Sequence, residues 1–348
     1  MNPGIAVIGY GGMGGHHVRR LMLIPEEVRV TGIFDIDPAK GKAAQQAGIN
    51  VFSSQEELLA DPATDIVIIA TPNDTHKSIA VASMERKKHV ICEKPVTMFC
   101  ADLREMIDCA NKNGVIFSVH QNRRWDEDFL MVSNLYREDA LGRVFTIESR
   151  VHGSRGIPGD WRKQASKGGG MVLDWGVHIL DQMLCLMGDR AIESLYAQYS
   201  YALGEEVEDG FRADFRFEGS LSFHLEVSTM NYINLPRWYI QGAKGTAVIE
   251  RFDSDARLML PRGKADDATP VVTAAGITKT MAPRGADTLT EVIRPKLTSD
   301  VKDYYRNFIK AVRGMEEQIV THAQMLRVLG IIEKMHISAG ENTIIRNI

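Results

Sequence analysis

The chain has 348 residues, of which 44% are hydrophobic and 25% charged, and its formal net charge is −4 at neutral pH. The length predicts two domains, and the composition is that of a globular protein. The slight acidity gives no reason to expect a nucleic-acid partner, and no apolar run approaches the ~20 residues that span a bilayer.

The N-terminus and the cysteines indicate the compartment. The chain enters a strand at once, without a basic region and an apolar leader, so we expect no signal peptide. Cys92, Cys100, Cys109 and Cys185 lack C-x-x-C spacing. Reduced, mostly buried thiols are therefore favoured over disulfides or zinc, and we expect a cytoplasmic protein.

The first predicted element is an apolar strand over residues 5–8 that ends in a glycine turn. Gly9, Gly11 and Gly14 have the G-x-G-x-x-G spacing, and residues 17–22 after them predict a helix. Gly9 permits the tight bend, Gly11 lets the backbone approach a pyrophosphate, and Gly14 lets helix and strand pack closely. The helix N-terminus favours bound phosphate. Glycine clusters also form ordinary turns, but this context predicts a dinucleotide site.

A second strand, over residues 28–34, ends in Asp35, about twenty residues beyond the last glycine. An acid at this position accepts hydrogen bonds from both ribose hydroxyls and repels a 2′-phosphate. No arginine or serine directly follows it to bind such a phosphate. The pattern favours NAD over NADP, and the simpler interpretation is that Asp35 only forms a turn.

A third strand, over residues 65–70, is a continuous apolar run that leads into the loop Thr71-Pro72-Asn73-Asp74-Thr75-His76. Such a run is typical of a parallel strand buried on both faces. Ligands of open α/β sheets bind beyond the carboxyl ends of the strands, so we expect this loop to border the cofactor. His76 starts a helix, and capping or packing suits it as well as ligand contact.

A fourth strand, over residues 89–92, is followed by Glu93, Lys94 and Pro95. A lysine at this strand end would lie where nicotinamide and substrate meet. Its ammonium could bind a substrate hydroxyl and relay the proton. A surface lysine in a turn is the alternative.

A fifth strand, over residues 115–119, completes an alternation of strands and helices that indicates a parallel sheet. We therefore place a dinucleotide-binding domain at residues 1–120 and a second domain at residues 121–348. The fold class is α/β: a doubly wound parallel sheet, then a domain with a large, mostly antiparallel sheet. Six runs alternate like strands with one buried face, and short glycine-bearing links indicate an antiparallel meander. These runs cover residues 143–152, 194–202, 211–217, 221–229, 237–241 and 246–252.

The rest of the second domain predicts covering elements and contacts between subunits. The open face of the sheet favours a homo-oligomer, a dimer or a tetramer. Residues 301–313 and 322–335 predict amphipathic helices that cover the domains, the last of which can pack back on the first domain. Residues 262–290 mix Gly, Pro, Ala and Thr and predict an irregular loop.

An acid–histidine pattern interrupts the strands. Asp174, His178 and Asp181 follow the glycine run at 168–170, and in a helix Asp174 and His178 lie one turn apart on one face. The carboxylate could fix the imidazole tautomer. The histidine would suit a base that removes a hydroxyl proton as hydride leaves the same carbon. A buried polar helix face is the alternative, and a metal is disfavoured because no other acid or histidine cluster in the sequence obviously completes a ligand shell.

Together these motifs resemble the family of glucose–fructose oxidoreductase, inositol dehydrogenase and rhizopine catabolism proteins, the Gfo/Idh/MocA family. The likeness covers nearly the whole length. The motifs that carry it are residues 9–14, Thr71-Pro72-Asn73 with His76, Glu93-Lys94-Pro95, Trp161-Arg162, Asp174-x-x-x-His178-x-x-Asp181 and Gly242-Ala243-Lys244-Gly245-Thr246.

The resemblance implies a Rossmann domain, then an α/β domain whose sheet builds dimers and tetramers. It implies that Lys94 binds substrate and relays a proton, with a candidate cis bond to Pro95. Asp174 and His178 would be the acid–base pair of the inositol dehydrogenase branch. The candidate cofactor contacts are Gly9, Tyr10, Gly11, Gly12, Met13, Gly14, Asp35, Ile36, Thr71, Pro72, Asn73, His76, Glu93, Lys94, Gln121, Trp161 and Arg162. The candidate substrate contacts are Asn122, Arg124, His152 and Asp160.

Residues 121–129 resemble the branch of scyllo-inositol dehydrogenases, which often uses NADP, whereas Asp35-Ile36-Asp37 departs from that branch and looks NAD-like. We expect NAD-dependent hydride transfer at a secondary hydroxyl of a sugar or a cyclic polyol such as inositol, without a metal. Two alternatives stay open. One is a non-catalytic, sugar-responsive regulator that keeps the dinucleotide site, and the other is a glycosidase that uses bound NAD for a transient oxidation.

Overall fold

The structure, a computed structural model, describes residues 2–263, 270–278 and 281–348. These residues form a parallel sheet in the N-terminal part and a larger, mostly antiparallel sheet in the C-terminal part, which confirms the predicted fold class. Every helix among them is too short or too polar to cross a membrane.

The N-terminal part alternates strands with helices. Its elements are β1 (Gly4–Ile8), α1 (Gly12–Leu21), β2 (Arg29–Phe34), α2 (Pro38–Gln46), α3 (Gln55–Ala60), β3 (Ile66–Ile69), α4 (His76–Glu85), β4 (His89–Cys92), α5 (Cys100–Asn113) and β5 (Phe117–Val119). The strand order is β2-β1-β3-β4-β5, and every pairing is parallel. Strands β1 and β3 are buried along their whole length, since helices cover both faces of such a sheet.

The carboxyl ends of these strands position the site. Because the strands run in one direction, the loops that follow them meet along one edge of the sheet. The first residues after the five strands are Gly9, Asp35, Ala70, Glu93 and His120. Residues far apart in the sequence are thus brought to one edge.

The C-terminal part contains the second sheet and the helices that cover it. Its elements are α6 (Glu127–Arg137), β6 (Val144–His152), α7 (Val177–Met187), β7 (Ile192–Ser200), β8 (Gly210–Phe217), β9 (Leu221–Ser228), β10 (Trp238–Gly242), β11 (Gly245–Ile249), β12 (Ala256–Pro261), β13 (Val271–Thr273), β14 (Gly276–Thr278), β15 (Leu289–Arg294), α8 (Lys302–Val312), α9 (His322–Glu341) and β16 (Ile345–Arg346). A π-helical turn, Val172–Gly176, runs directly into α7.

The strand order of this sheet is β15-β12-β11-β10-β6-β9-β8-β7-β16, which corrects the predicted single meander. Strand β6 lies in the middle, parallel to β9 and antiparallel to β10, with one meander on each side. The chain passes through α7 between β6 and β7, which leaves β6 free to pair with β9. Alternation along a strand reports which face is buried, but it does not report the neighbouring strand.

One face of the sheet packs against α7 and α9. Along β8, buried residues alternate with exposed Arg212, Asp214 and Arg216 on the other face. The predicted association of subunits through that face stays a prediction.

The predicted irregular loop at 262–290 is partly wrong. It contains the short hairpin of β13 and β14, and β15 begins at Leu289, within the predicted loop. Residues 264–269 and 279–280 of this stretch lie outside the described residues. The short, exposed strands of this hairpin have no buried face that a hydrophobic pattern could reveal.

Helix α8 joins the two parts of the chain. The hydroxyl of Tyr304 donates to the carbonyl oxygen of Val119 at 3.1 Å. The hydroxyl of Tyr305 lies 2.7 Å from Nδ1 of His17 on α1. Both tyrosines are buried, so this C-terminal helix packs directly under the strand ends of the first sheet.

Candidate functional site

A cavity of about 840 Å³ opens where the two parts of the chain meet at the carboxyl edge of the parallel sheet. Both parts contribute side chains to its wall. The lining residues are Ile8, Gly9, Gly11, Gly12, Met13, Phe34, Asp35, Ile36, Gln55, Ala70, Thr71, Pro72, Asn73, Asp74, Thr75, Ile79, Glu93, Lys94, Asn122, Arg123, Asp160, Trp161, Arg162, Lys167, Asp174, Trp175 and His178.

The glycine turn forms one end of this cavity and fits a dinucleotide diphosphate. Gly9 has a φ of +90°, which favours glycine, and a Cβ on Gly14 would lie 1.8 Å from the carbonyl oxygen of Gly9. At Gly11 and Gly12 a Cβ would meet open space, so the backbone there is accessible from the cavity. Helix α1 begins at Gly12 without an acidic residue in its first turn, which leaves its N–H groups available to an anion.

Asp35 is held rigidly at the cavity wall. Its Oδ2 accepts from the backbone N–H of Tyr10 at 2.6 Å, and its Oδ1 accepts from the backbone N–H of Asp37 at 2.8 Å. Ile36 beside it is 89% exposed and also lines the cavity. Tyr10 and Gly14, two candidate cofactor contacts, do not line the cavity. Their contribution is to shape it.

The loop after β3 contributes Thr71, Pro72 and Asn73 to the wall, as expected. Asn73 donates through Nδ2 to the carbonyl oxygen of Gly168 at 3.1 Å, which ties this loop to the second part of the chain. His76 is fully buried outside the cavity wall, with ring nitrogens 2.9 Å from the oxygen of Thr71 and 3.0 Å from that of Pro95. His76 links the loop after β3 to the loop after β4. The structure therefore supports a packing role for it.

Lys94 reaches across the cavity to the second part of the chain. Its Nζ donates to the backbone oxygen of Asp174 at 2.8 Å and to its Oδ1 at 3.0 Å. The other carboxylate oxygen of Asp174 lies 3.3 Å from Nε of Arg162. Burial alone would raise the pKa of Asp174, but Lys94 and Arg162 hold it below its usual value. The peptide bond between Lys94 and Pro95 is cis.

His178 lies in the same cavity wall and is 4% exposed. Burial, with the positive charges of Lys94 and Arg123, lowers the pKa of His178 well below its usual value. Its Nδ1 is buried without a hydrogen-bond partner in the described part of the chain. The imidazole is therefore neutral near pH 7 and keeps a free nitrogen.

The predicted contact between Asp174 and His178 is corrected by the structure. Within the described residues, the hydrogen bonds and ion pairs of the Asp174 carboxylate are those with Lys94 and Arg162. The cause is the π-helical turn at Val172–Gly176, whose wider winding changes which residues stack four positions apart. The Asp174 side chain therefore hydrogen-bonds the lysine and not the histidine.

Two candidate substrate residues and Asp181 lie elsewhere. Arg124 and Asp181 form a buried two-pronged ion pair, with N–O distances of 2.7 and 2.6 Å. His152 lies 3.5 Å from the carboxylate of Glu226 on the larger sheet. None of the three lines the cavity, whereas Asn122 and Asp160 do. Gln121 is buried outside the wall.

Arg123 and Trp175 are among the cavity residues that sequence reasoning missed. Arg123 stacks on the ring of Trp175, with its guanidinium carbon 4.1 Å from the ring centroid. Trp175 in turn lies edge-on to the His178 ring at 6.0 Å between centroids. Adjacent arginines at 123 and 124 look alike in a sequence, and the short helical turn Asn122–Trp125 alone decides which one faces the cavity.

Comparisons with known proteins agree with this architecture. Residues 4–121 match the family model described as "Oxidoreductase family, NAD-binding Rossmann fold", and residues 129–248 match "GFO/IDH/MocA C-terminal domain". The chain is 28% identical over 341 residues to scyllo-inositol 2-dehydrogenase (NADP(+)) IolW of Bacillus subtilis, covering 97% of this chain and 94% of that protein.

Two further relatives extend the likeness. Myo-inositol 2-dehydrogenase of Thermotoga maritima is 28% identical over 205 residues, which cover 58% of this chain and 60% of that protein. The crystal structure of an NAD-binding protein from Listeria innocua is 42% identical, with a TM-score of 0.93 and 99% of each chain covered. The family models, the parallel sheet and the glycine turn agree, and this chain belongs to the GFO/IDH/MocA family of NAD(P)-dependent oxidoreductases.

Proposed function

We propose that this oxidoreductase transfers hydride reversibly between NAD and a secondary hydroxyl of a cyclic polyol or sugar. The observation that carries the proposal is that Lys94 and His178, from different parts of the chain, line the cavity that also contains the glycine turn. A bound nicotinamide supplies the hydride chemistry, and the protein positions the reacting carbon against it.

His178 is the proposed base. A neutral imidazole can accept the hydroxyl proton while the same carbon loses hydride, and the low pKa of His178 keeps it in that form. Lys94 would hold the reacting oxygen and stabilise the negative charge that develops on it.

Asp174 is the proposed positioning residue for Lys94. It accepts from the ammonium through both its backbone and its side chain, so the lysine side chain is held in one direction. This differs from the expected pairing of Asp174 with His178. The Asp174 carboxylate would therefore support the lysine that holds the reacting oxygen, and not the proposed base.

Asp35 supports NAD as the cofactor. Its carboxylate accepts from two backbone N–H groups, which hold it at the cavity wall, where it would oppose a 2′-phosphate. Ile36 and Asp37 follow it, and neither carries a positive charge. The repulsion would therefore be uncompensated, although the Bacillus subtilis relative is named for NADP.

The polar side chains of the cavity wall support a polyhydroxylated ring as substrate. Asn122, Asp160 and Arg162 offer donors and acceptors for hydroxyl groups, and Trp161 and Trp175 offer ring faces. The inositol dehydrogenases among the relatives favour cyclic polyols within this class.

The test is steady-state turnover of the purified protein with myo-inositol, scyllo-inositol, simple sugars and an aryl glycoside, each with NAD and with NADP. We expect net NADH formation with at least one polyol. Binding of NAD without turnover on any polyol would support a regulator. Substrate cleavage without net NADH release would support a glycosidase, and either result would contradict the proposal.

A further inference from the structure

Two neighbouring residues of α7 hold two neighbouring arginines. Asp181 binds the side chain of Arg124 through N–O distances of 2.7 and 2.6 Å, and this arginine lies outside the cavity wall. Gln182 binds the backbone of Arg123, since its Nε2 donates to the carbonyl oxygen of that residue at 2.7 Å. The side chain of Arg123 lines the cavity. One arginine is therefore fixed by its side chain and the other by its backbone.

The surroundings of Gln182 fix the orientation of its amide. The side chain is fully buried, and its Oε1 accepts from Nη2 of Arg237 at 2.8 Å. Arg237 is buried as well: its Nε lies 3.0 Å from Oδ2 of Asp128, and its Nη1 donates to the hydroxyl of Ser149. Because a guanidinium can only donate, it requires the amide oxygen of Gln182. The amide nitrogen is left for the carbonyl of Arg123, which can only accept.

Arg123 places a positive charge beside the proposed base. Its guanidinium carbon lies 4.1 Å from the ring centroid of Trp175, and its Nη1 donates to Asp126 at 2.8 Å. The ring of Trp175 lies edge-on to that of His178. Arg123, Trp175 and His178 all line the cavity, so the guanidinium and the imidazole share one wall.

Several groups set the protonation state of His178. Burial lowers its pKa, and the charges of Lys94 and Arg123 lower it further. Glu93 raises the pKa and His120 lowers it, both to a smaller extent. The place that the Arg123 guanidinium occupies therefore affects the proposed base.

We propose that Gln182 is a positioning residue of this site, which holds the helical turn Asn122–Trp125 so that Arg123 presents its guanidinium to the cavity beside His178. The inference rests on the proposed function, because it treats His178 as the base. Gln182 itself does not line the cavity, so it acts through Arg123 and not on the substrate. Without the bond from Gln182, the backbone at Arg123 is free to turn, and its guanidinium moves from Trp175 toward solvent, where its charge is screened.

Two measurements on Gln182→Met test this role, because methionine has a similar length but no N–H donor. In a crystal structure of the variant, we expect the Arg123 guanidinium to have left the ring of Trp175. In the pH dependence of kcat/KM with the best polyol, the acid limb should move to higher pH by roughly 0.5 unit, in the direction of Arg123→Gln. In the double variant, Arg123→Gln with Gln182→Met, the limb should stay where Arg123→Gln alone places it.

The matched control is Ser149→Ala, which removes another hydrogen-bond acceptor from the same buried Arg237. Both variants leave one donor of this guanidinium without its partner, so their losses of stability should be similar. The acid limb should not move in Ser149→Ala, because Arg123 keeps its bond to Gln182. If Gln182→Met does not fold, Gln182→Asn replaces it, because its amide is one methylene too short to make both bonds.

The outcomes separate the two proposals. If no polyol turns over, the proposed function fails, and if the limb does not move in Arg123→Gln, His178 is not the base. In either case the crystal structure decides the inference, and an Arg123 guanidinium that stays on Trp175 in Gln182→Met overturns it. An acid limb that moves in Arg123→Gln but not in Gln182→Met, or that moves equally in Ser149→Ala, overturns the inference as well.

Discussion

Lys94 and His178 have opposite electrostatic requirements within one cavity. In the proposed mechanism the lysine acts as a cation, whereas the histidine acts as a neutral base. Asp174 stabilises the charge of Lys94 through a 3.0 Å ion pair. Burial and the positive charges of Lys94 and Arg123 keep His178 unprotonated. The charge of Lys94 therefore helps to keep His178 neutral.

The pH dependence of polyol oxidation reports the state of His178. Because its pKa is lowered, kcat/KM should stay level as the pH falls through 6.5, where an ordinary histidine loses half of its basic form. Arg123→Gln removes one of the charges that lower this pKa, so the acid limb should move to higher pH. A wild-type profile that is half-lost near pH 6.5, or an unmoved limb in Arg123→Gln, would argue against His178 as the base.

Cofactor choice depends on Asp35 in this account. Asp35→Ser removes the charge that would oppose a 2′-phosphate, so kcat/KM with NADP relative to NAD should rise on the order of tenfold. Steady-state kinetics with both cofactors at one polyol concentration measures this ratio. Asp37→Ser serves as the control, because Asp37 caps α2 and does not line the cavity. An unchanged ratio in Asp35→Ser would contradict the role of Asp35 in selecting NAD over NADP.

At the scale of elements, the π-helical turn Val172–Gly176 decides which side chains meet. The turn is held at its start by Glu208, whose Oε1 accepts from the backbone N–H of Val172 at 2.8 Å. Gly170 packs against the same carboxylate with a φ of +97°. A side chain at position 170 would therefore collide with the Glu208 carboxylate and disturb the π-helical turn that this carboxylate supports.

Gly170→Ala tests this support. A Cβ there would lie 2.3 Å from Oε1 of Glu208, so we expect a loss of roughly 3 kcal/mol in the free energy of unfolding, together with lower turnover. The matched control is Gly114→Ala, in the left-handed conformation with a φ of +66° and with no atom within 4 Å of the added Cβ, which should cost about 1 kcal/mol. Denaturant unfolding of the two variants gives the comparison, and equal losses would refute the role of Glu208.

The sequence predicted the elements whose buried side chains form a regular hydrophobic pattern. Strands β1 and β3 are apolar throughout, and β8 alternates, so hydrophobic pattern located them. The π-helical turn could not be predicted, because its residues have the hydrophobic pattern of an ordinary α-helix. Only the number of residues per turn differs. Lys94 and His178 were predicted to lie in the site from their residue types, and both line the cavity. Arg123 and Trp175 line it because of the local backbone conformation, which the sequence pattern does not show.

For the whole molecule, buried ionisable groups at the junction of the two parts link stability to pH. His17 and His178 have lowered pKa values in the folded state, so below pH 6.5 the unfolded chain binds protons that the folded chain does not. Stability is then complete above that pH and falls as the pH decreases. Glu93, whose pKa is also lowered, adds a loss at lower pH, where the unfolded carboxyl takes up a proton.

We therefore expect acid to destabilise the fold by about 1.4 kcal/mol per pH unit for each buried histidine below pH 6.5. Thermal unfolding between pH 7.5 and 5.5 measures this slope. His178→Gln should make the slope shallower by the contribution of one histidine. A melting temperature that does not change across this range would show that these groups titrate alike in both states.

The central claim is that Lys94 acts on the substrate and not on the cofactor's binding. The most direct measurement is Lys94→Ala, compared with wild type in two assays: the dissociation constant of NAD by calorimetry and turnover of the best polyol. The account predicts an almost unchanged dissociation constant and a turnover reduced about 10²-fold or more. Full turnover in Lys94→Ala would contradict it.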